Sequence, residues 1–418
     1  MKPKLFDIRA NDIPNEGIVV LKPWKKITLD PEYAGARIVA GDVDGDGAVE
    51  IVSAKNVDEN DCHYTSSVVV HRLDGSVLWR WGDPSQGRNS LHHDVACQIY
   101  DWDGDGKNEV VIAADGAVVE LDGATGEEKR RFAIPQDASD CLVFANLSGG
   151  DRASDVLVKT RYGQIWAYND DGRLLWTVEQ PAGFKTAHQP RPVDVDHDGR
   201  DEIMAGYAML NPDGTVRWEL REQGIDLDQG HLDCARVFHL GESAADSSLI
   251  LTFCGGKRIA RVDGEGTLAW SLTGHHFESI NIGKVCAGVP GKQIVVDIDH
   301  RPWGESPLWV LDQDGNWLGQ IITDGSRHHT LVDWFGSGIE SIVMGTAAAM
   351  FDCTGHKVAL FDAQQVGLCA KGDMTGNGVP DLILSSNPAS EVCIFRNEQG
   401  GKPEDKIPLG TGTNYTLY

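Results

Sequence analysis

Apolar and polar residues alternate in short runs along almost the whole chain, and tight turns rich in Asp, Asn and Gly separate the runs. A period of two predicts strands, and helix-period stretches are nearly absent. One unit reads ARIVAGDVDGDGAVEIVSA (36–54), ACQIYDWDGDGKNEVVIAA (96–114) and RPVDVDHDGRDEIMAG (191–206), with a weaker copy in LCAKGDMTGNGVPDLILSS (368–386). Each is an apolar strand, an acidic loop and a second apolar strand. A second unit follows, as in VVVHRLDGSVLWRW (68–81), IWAYNDDGRLLWTV (165–178) and RIARVDGEGTLAWSL (258–272). Here Asp-Gly joins two apolar runs, a strong hairpin signal, and Trp often follows the turn.

The second unit occurs eight times, most copies 40 to 50 residues apart. Four strands at that period mark a propeller blade. The sequence therefore predicts an all-β chain, a single eight-bladed β-propeller domain over residues 1–418; seven blades with one irregular insertion is the alternative. The tail KIPLGTGTNYTLY (406–418) is expected to pair with the N-terminal segment and close the ring.

In the best loops the acids fall at relative positions 1, 3, 5 and 9. They are Asp42, Asp44, Asp46 and Glu50; Asp101, Asp103, Asp105 and Glu109; Asp194, Asp196, Asp198 and Glu202. The fourth copy offers Asp373, Asn377 and Asp381. Carboxylates this close repel one another, and a sharp glycine-containing turn aims alternate residues inward. Hard oxygen ligands in that arrangement suit Ca2+. The loops are not EF-hands, because their last acid leads directly into a strand. The expected calcium is structural. Polar hairpin turns without a metal are the plainer reading.

Charge narrows the partners. Lys plus Arg is 37, Asp plus Glu is 63, and the formal charge is −26. Such a chain repels phosphate backbones and anionic lipid, so neither nucleic acid nor a membrane is expected as partner. The nine cysteines form no C-x-x-C pair or zinc pattern, and the N-terminus has no apolar core. These features lead to an expectation of a cytoplasmic protein with reduced thiols.

Histidines supply the candidate chemistry. His93, His231 and His276 each lie eight residues before the anchor of the following loop, and His188 lies six before Asp194. First strands line the channel of a propeller, so equivalent strand starts converge on one mouth. His328 falls near the same level. Tyr162, Arg191, Arg236, Arg301 and Trp303 are further candidates for substrate binding, and Arg with His in an acidic protein suggests a carboxylate-bearing substrate. No nucleophile elbow, P-loop or dinucleotide fingerprint is present. Acids are too numerous to single out a glycosidase pair.

The loops GDVDGDGAVEIV, YDWDGDGKNEVVIAADG and VDVDHDGRDEI resemble the repeats of the rhamnogalacturonan lyases of polysaccharide lyase family 11, and LHHDVACQIY and QGHLDCARVF resemble related propellers that cleave rhamnose–glucuronate linkages. The likeness covers nearly the whole chain as architecture and little of it as specific sites. It implies an eight-bladed propeller with calcium in the loops. It also implies a uronate- or rhamnose-containing oligosaccharide or polysaccharide as substrate, cleaved by β-elimination. On that resemblance His93 is the acid or base, His231 or His276 its partner, and Arg236 neutralises the uronate carboxylate. A glycoside hydrolase on the same scaffold and a non-catalytic, integrin- or lectin-like calcium-binding propeller are the alternatives. A quinoprotein dehydrogenase is a more distant one, since no adjacent cysteine pair is present.

Overall fold

A computed structural model describes residues 5–59, 62–89, 94, 96–223, 230–299, 306–323, 329–363, 366–403, 407–416 and 418. The chain is all-β: beyond strands, the described residues hold only three short 3-10 turns. Strands pair with their sequence neighbours in four-stranded antiparallel meanders, the first being Arg37–Gly41, Glu50–Glu59, Cys62–His71 and Val77–Gly82. The later meanders begin at Cys97–Tyr100, Val143–Ala145, Thr186–Val193, Leu232–His239, His276–Gly283, His329–Val332 and Val366–Gly372. The fourth and fifth share one sheet through a parallel bridge between Ala187 and Leu232. The eighth takes its last strand from the N-terminal region, where Lys25–Thr28 pairs antiparallel with Glu391–Phe395.

The recurring Trp and Asp-Gly turns explain how one meander seats on the next. Trp79, Trp218 and Trp270 donate their indole N–H to Gly123, Gly264 and Gln313, in the hairpin turn of the following meander, at 2.7, 3.0 and 3.0 Å. The turn glycine then lies on the ring. A Cβ at Gly126 or Gly266 would come within 2.6 Å of the indole, and both glycines have positive φ, so another residue there meets both a clash and backbone strain. Apolar strand positions fill the spaces between meanders. Val52, Val68, Ile112 and Val119 pack the first against the second; Ile27, Ile51, Leu368 and Ile383 pack the eighth against the first. Burial of each such side chain stabilises the fold by about 1.5–3 kcal/mol.

Lys25–Thr28 with Glu391–Phe395 is a pairing of N- and C-terminal segments. The tail from residue 407 takes a separate course. Its main-chain and side-chain groups bond across the first strands of successive meanders. Thr411 N–H donates to Ala40 O at 2.8 Å, Thr413 Oγ1 to Ile99 O at 3.2 Å, and Asn414 exchanges two 2.8 Å bonds with Phe144. Arg37, Arg191 and Arg236 then donate to the main-chain oxygens of Tyr415 and Tyr418.

Candidate functional site

Successive side chains of a strand point to opposite faces, so residues i and i+2 share one. Two first strands open with that spacing: His231 with Asp233, and His276 with Glu278. A third, Thr186–Val193, contributes His188. The three histidines meet around one carboxylate. His231 Nε2 is 3.0 Å from Asp233 Oδ1, His188 Nε2 is 3.6 Å from the same oxygen, and His276 Nε2 is 3.5 Å from Oδ2. His276 Nε2 also lies 3.0 Å from Glu278 Oε1. Tyr162 covers the cluster: its ring stacks on His231 at 3.9 Å and its hydroxyl is 3.3 Å from His188 Nε2. The Arg161 guanidinium and Lys185 ammonium sit over the Tyr162 ring at 5.0 and 5.5 Å.

Burial sets the protonation states apart. Burial, then the nearby Glu278, raises the Asp233 carboxyl to about 6. Burial lowers His231 and outweighs the support of Asp233, so its imidazole is neutral at pH 7. Burial also opposes charge on His276, but the neighbouring Asp233, Cys254 and Glu278 overcome it and raise the group to about 11. One cluster thus holds a neutral imidazole and an imidazolium side by side, the pairing that acid–base chemistry needs. His231 Nε2 lies beside Asp233 Oδ1, and its Nδ1 lies 3.3 Å from Cys254 Sγ. The same atoms offer metal donors: one each from His188, His231 and Asp233, and one each from Asp233, Cys254 and His276, lie within 4.8 Å of one another.

A second buried group backs the first. Asp94 accepts from His188 Nδ1 at 3.1 Å and from Arg161, and Arg161 also reaches Asp140 at 3.5 Å. Asp140 pairs with Lys159 at 2.9 Å and with His63 at 2.5 Å. These acids carry no repeat signature, because they come from loop and edge positions that differ from one meander to the next. The His-x-acid spacing in two adjacent repeats was the available signal for Asp233 and Glu278.

The expected site residues divide into three sets. His188, His231, His276 and Tyr162 come together. Arg191 and Arg236 do not join them. Arg191 donates to Ala235 O and Tyr418 O, both at 3.1 Å, and Arg236 to Tyr418 O and, at 3.4 Å, Thr416 O. They line a separate cavity of about 490 Å³ with Asn281 and Lys371. The physical reason is register: each lies three strand positions or more past its histidine, deeper along the first strand, where the tail crosses. His93, Arg301, Trp303 and His328 lie outside the described residues.

The acidic loops gather as expected in part. Asp42, Asp44 and Glu50 bring three oxygens within 4.8 Å, as do Asp101, Asp103 and Glu109. Asp101 Oδ1, Asp194 Oδ1 and Asp196 Oδ1 are buried without a hydrogen-bond partner. Burial and the loop aspartates raise Glu50 to about 7, and burial with Asp196 raises Glu202 similarly to about 7. Orphaned, crowded oxygens fit a hard divalent cation. Protein cations answer part of the charge: Arg72 reaches Asp44 at 3.0 Å, Lys129 reaches Asp103 at 2.6 Å, and Arg217 reaches Asp196 at 2.8 Å. The outward Asp46, Asp105 and Asp198 accept from loop amides two residues on. The fourth loop closes on its own backbone: Asp373 accepts from Thr375, Gly376 and Gly378, Asn377 from Val379, and Asp381 from Met374 and Asn397.

Residues 19–135 match the family described as rhamnogalacturonan lyase family 11, C-terminal domain. The chain is rhamnogalacturonan lyase family 11-like. It is 28% identical over 344 residues to the rhamnogalacturonan endolyase YesW of Bacillus subtilis, covering 66% of this chain and 52% of that protein. It is 26% identical over 367 residues to the exolyase YesX of the same organism, covering 72% and 56%. The chain thus spans about half the length of both relatives. A Bacillus licheniformis rhamnogalacturonan lyase structure superposes with a TM-score of 0.66 at 18% identity, over 94% of this chain and 83% of that one, which speaks to fold alone.

Proposed function

We propose that this chain is a lyase that cleaves a uronate- and rhamnose-containing polysaccharide or oligosaccharide of the rhamnogalacturonan type by β-elimination. The relatives YesW and YesX, named as a rhamnogalacturonan endolyase and exolyase, support the substrate class. The observation that carries the chemistry is the placement of two histidines on the two oxygens of Asp233, His231 Nε2 at 3.0 Å from Oδ1 and His276 Nε2 at 3.5 Å from Oδ2, with burial lowering the first and neighbouring acids raising the second. Elimination needs both. His231 takes the proton α to the uronate carboxylate, the bond to the glycosidic oxygen breaks as the carbon–carbon double bond forms, and His276 gives that oxygen its proton. Tyr162 and His188 contact the sugar, and Lys185 and Arg161 beside Tyr162 favour its carboxylate.

The eight meanders are read as blades of one propeller domain. Support comes from the apolar clusters, each of which bridges neighbouring meanders, the eighth and first included. Ca2+ belongs in the first three acidic loops, held by Asp42, Asp44 and Glu50 and their counterparts, where it supplies charge neutralisation and fixes the turns.

The test is incubation with rhamnogalacturonan and with rhamnose–glucuronate oligosaccharides while the ultraviolet absorbance of an unsaturated uronate is followed. Absorbance should rise, and His231→Gln and His276→Gln should each abolish the rise. Sugar release without absorbance would replace the lyase by a hydrolase. No release would leave a binding module.

A further inference from the structure

The reaction as proposed uses His231 and His276 and leaves Asp94 without a task, yet Asp94 is among the most constrained acids in the molecule. Its side chain has no solvent exposure, and its two oxygens have separate partners: Oδ1 faces His188 Nδ1 at 3.1 Å, and Oδ2 takes the Arg161 guanidinium. A carboxylate only accepts, so His188 Nδ1 must carry a proton. In the neutral ring Nε2 is then an acceptor, and the hydroxyl of Tyr162 stands 3.3 Å from it as donor, nearer than Asp233 Oδ1 at 3.6 Å. Tyr162 in turn stacks on His231 with 20° between the ring planes.

We infer that Asp94 is a positioning residue for the reaction: it fixes the His188 tautomer, His188 thereby orients the Tyr162 hydroxyl, and Tyr162 holds the His231 ring in place. Arg161 completes the device. It locks the Asp94 carboxylate from the other side, contacts Asp140 and His63 behind it, and lies over the Tyr162 ring. Carboxylate, imidazole and phenol thus form a chain in which each partner dictates which way the next one donates. The tail also holds the imidazole, because the Tyr418 ring lies on His188 at 4.4 Å with 4° between planes. That contact fixes the plane of the ring but not its tautomer; of the two carboxylates that face the ring, Asp94 is at 3.1 Å from Nδ1 and Asp233 at 3.6 Å from Nε2, so the choice of nitrogen falls to the nearer Asp94.

The catalytic part of this inference rests on the lyase reading above, and the tautomer part does not, so two measurements separate them. The first is a nitrogen-15 spectrum of the histidine-labelled protein, with His188 assigned by its loss in His188→Gln. The wild type should show His188 protonated at Nδ1 and bare at Nε2. Protonation at Nε2, alone or together with Nδ1, would overturn the inference whatever the enzyme does. In Asp94→Asn an amide nitrogen donates where the carboxylate accepted, and the imidazole should change to the other tautomer. The second measurement is steady-state kinetics of Asp94→Asn and Asp94→Glu on the substrate that the wild type cleaves. Asp94→Asn should lose about 10²–10⁴-fold in kcat with a much smaller change in KM, the size of a misoriented acid–base group, and Asp94→Glu should recover a part of it. A changed tautomer with unchanged kcat would refute the positioning role. If the wild type cleaves none of the substrates, the lyase reading fails while the tautomer result stands.

Discussion

Asp233→Asn is the perturbation that probes the site most sharply, because three imidazoles share that one buried carboxylate. Its largest effect falls on His276, which is held at about 11 against the pull of burial. An opposite charge within about 4–6 Å moves a pKa by about 1–3 units. Asp233 Oδ2 lies 3.5 Å from His276 Nε2, and Glu278 remains at 3.0 Å after the change. Removing the Asp233 charge should therefore bring His276 down to roughly 8–10. His276 must be protonated to serve as the acid, so activity is lost as pH rises through its pKa. The wild type should show no alkaline limb from His276 below about pH 10, whereas Asp233→Asn should show one within roughly pH 8–10. Below that limb kcat should still be reduced by about 10²–10⁴-fold, because His231 also loses the carboxylate charge 3.0 Å from its Nε2. The assay is the initial rate of double-bond formation across that pH range, with near-ultraviolet circular dichroism confirming the fold. A variant whose profile superimposes on that of the wild type would refute the assignment of His276 as the acid.

Other outcomes follow from the same contacts. Removing divalent cations with a chelator should lower Tm, added Ca2+ should restore it, and Asp42→Asn with Asp44→Asn should reduce bound calcium by about one ion per chain by elemental analysis. Lys159→Met leaves the fully buried Asp140 without its 2.9 Å partner and should destabilise the fold by about 3–5 kcal/mol in denaturant unfolding. Because the folded state raises His276, its contribution to stability is complete below about pH 6.5 and is lost as pH rises through about 11. His276→Gln should thus flatten that alkaline decline in Tm.

The strand plan was legible because the period-two pattern and the Asp-Gly turns are local signals. Trp79, Trp176, Trp218 and Trp270 report the seat of the next meander, as the Trp79–Gly123 bond illustrates. The gathering of His188, His231 and His276 was legible too, because equivalent strand starts in a repeated fold lie side by side. Three things were not. The path of residues 407–416 depends on main-chain and side-chain groups meeting first strands far away in sequence, and no local pattern encodes that. The separation of Arg191 and Arg236 from the histidines is a matter of depth along the strand, which spacing from a loop anchor ranks poorly. Asp94, Asp140 and His63 occupy positions that do not repeat, so aligning the meanders cannot find them.

The central claim is elimination at the cluster around Asp233, and the mass of the product tests it most directly. Elimination adds no water across the broken linkage, whereas hydrolysis adds one. The account predicts that the fragment carrying the cleaved uronate is one water lighter than the hydrolysis product, and that it is absent with His231→Gln. A fragment of full hydrolytic mass, or the lighter fragment formed undiminished by His231→Gln, would contradict it.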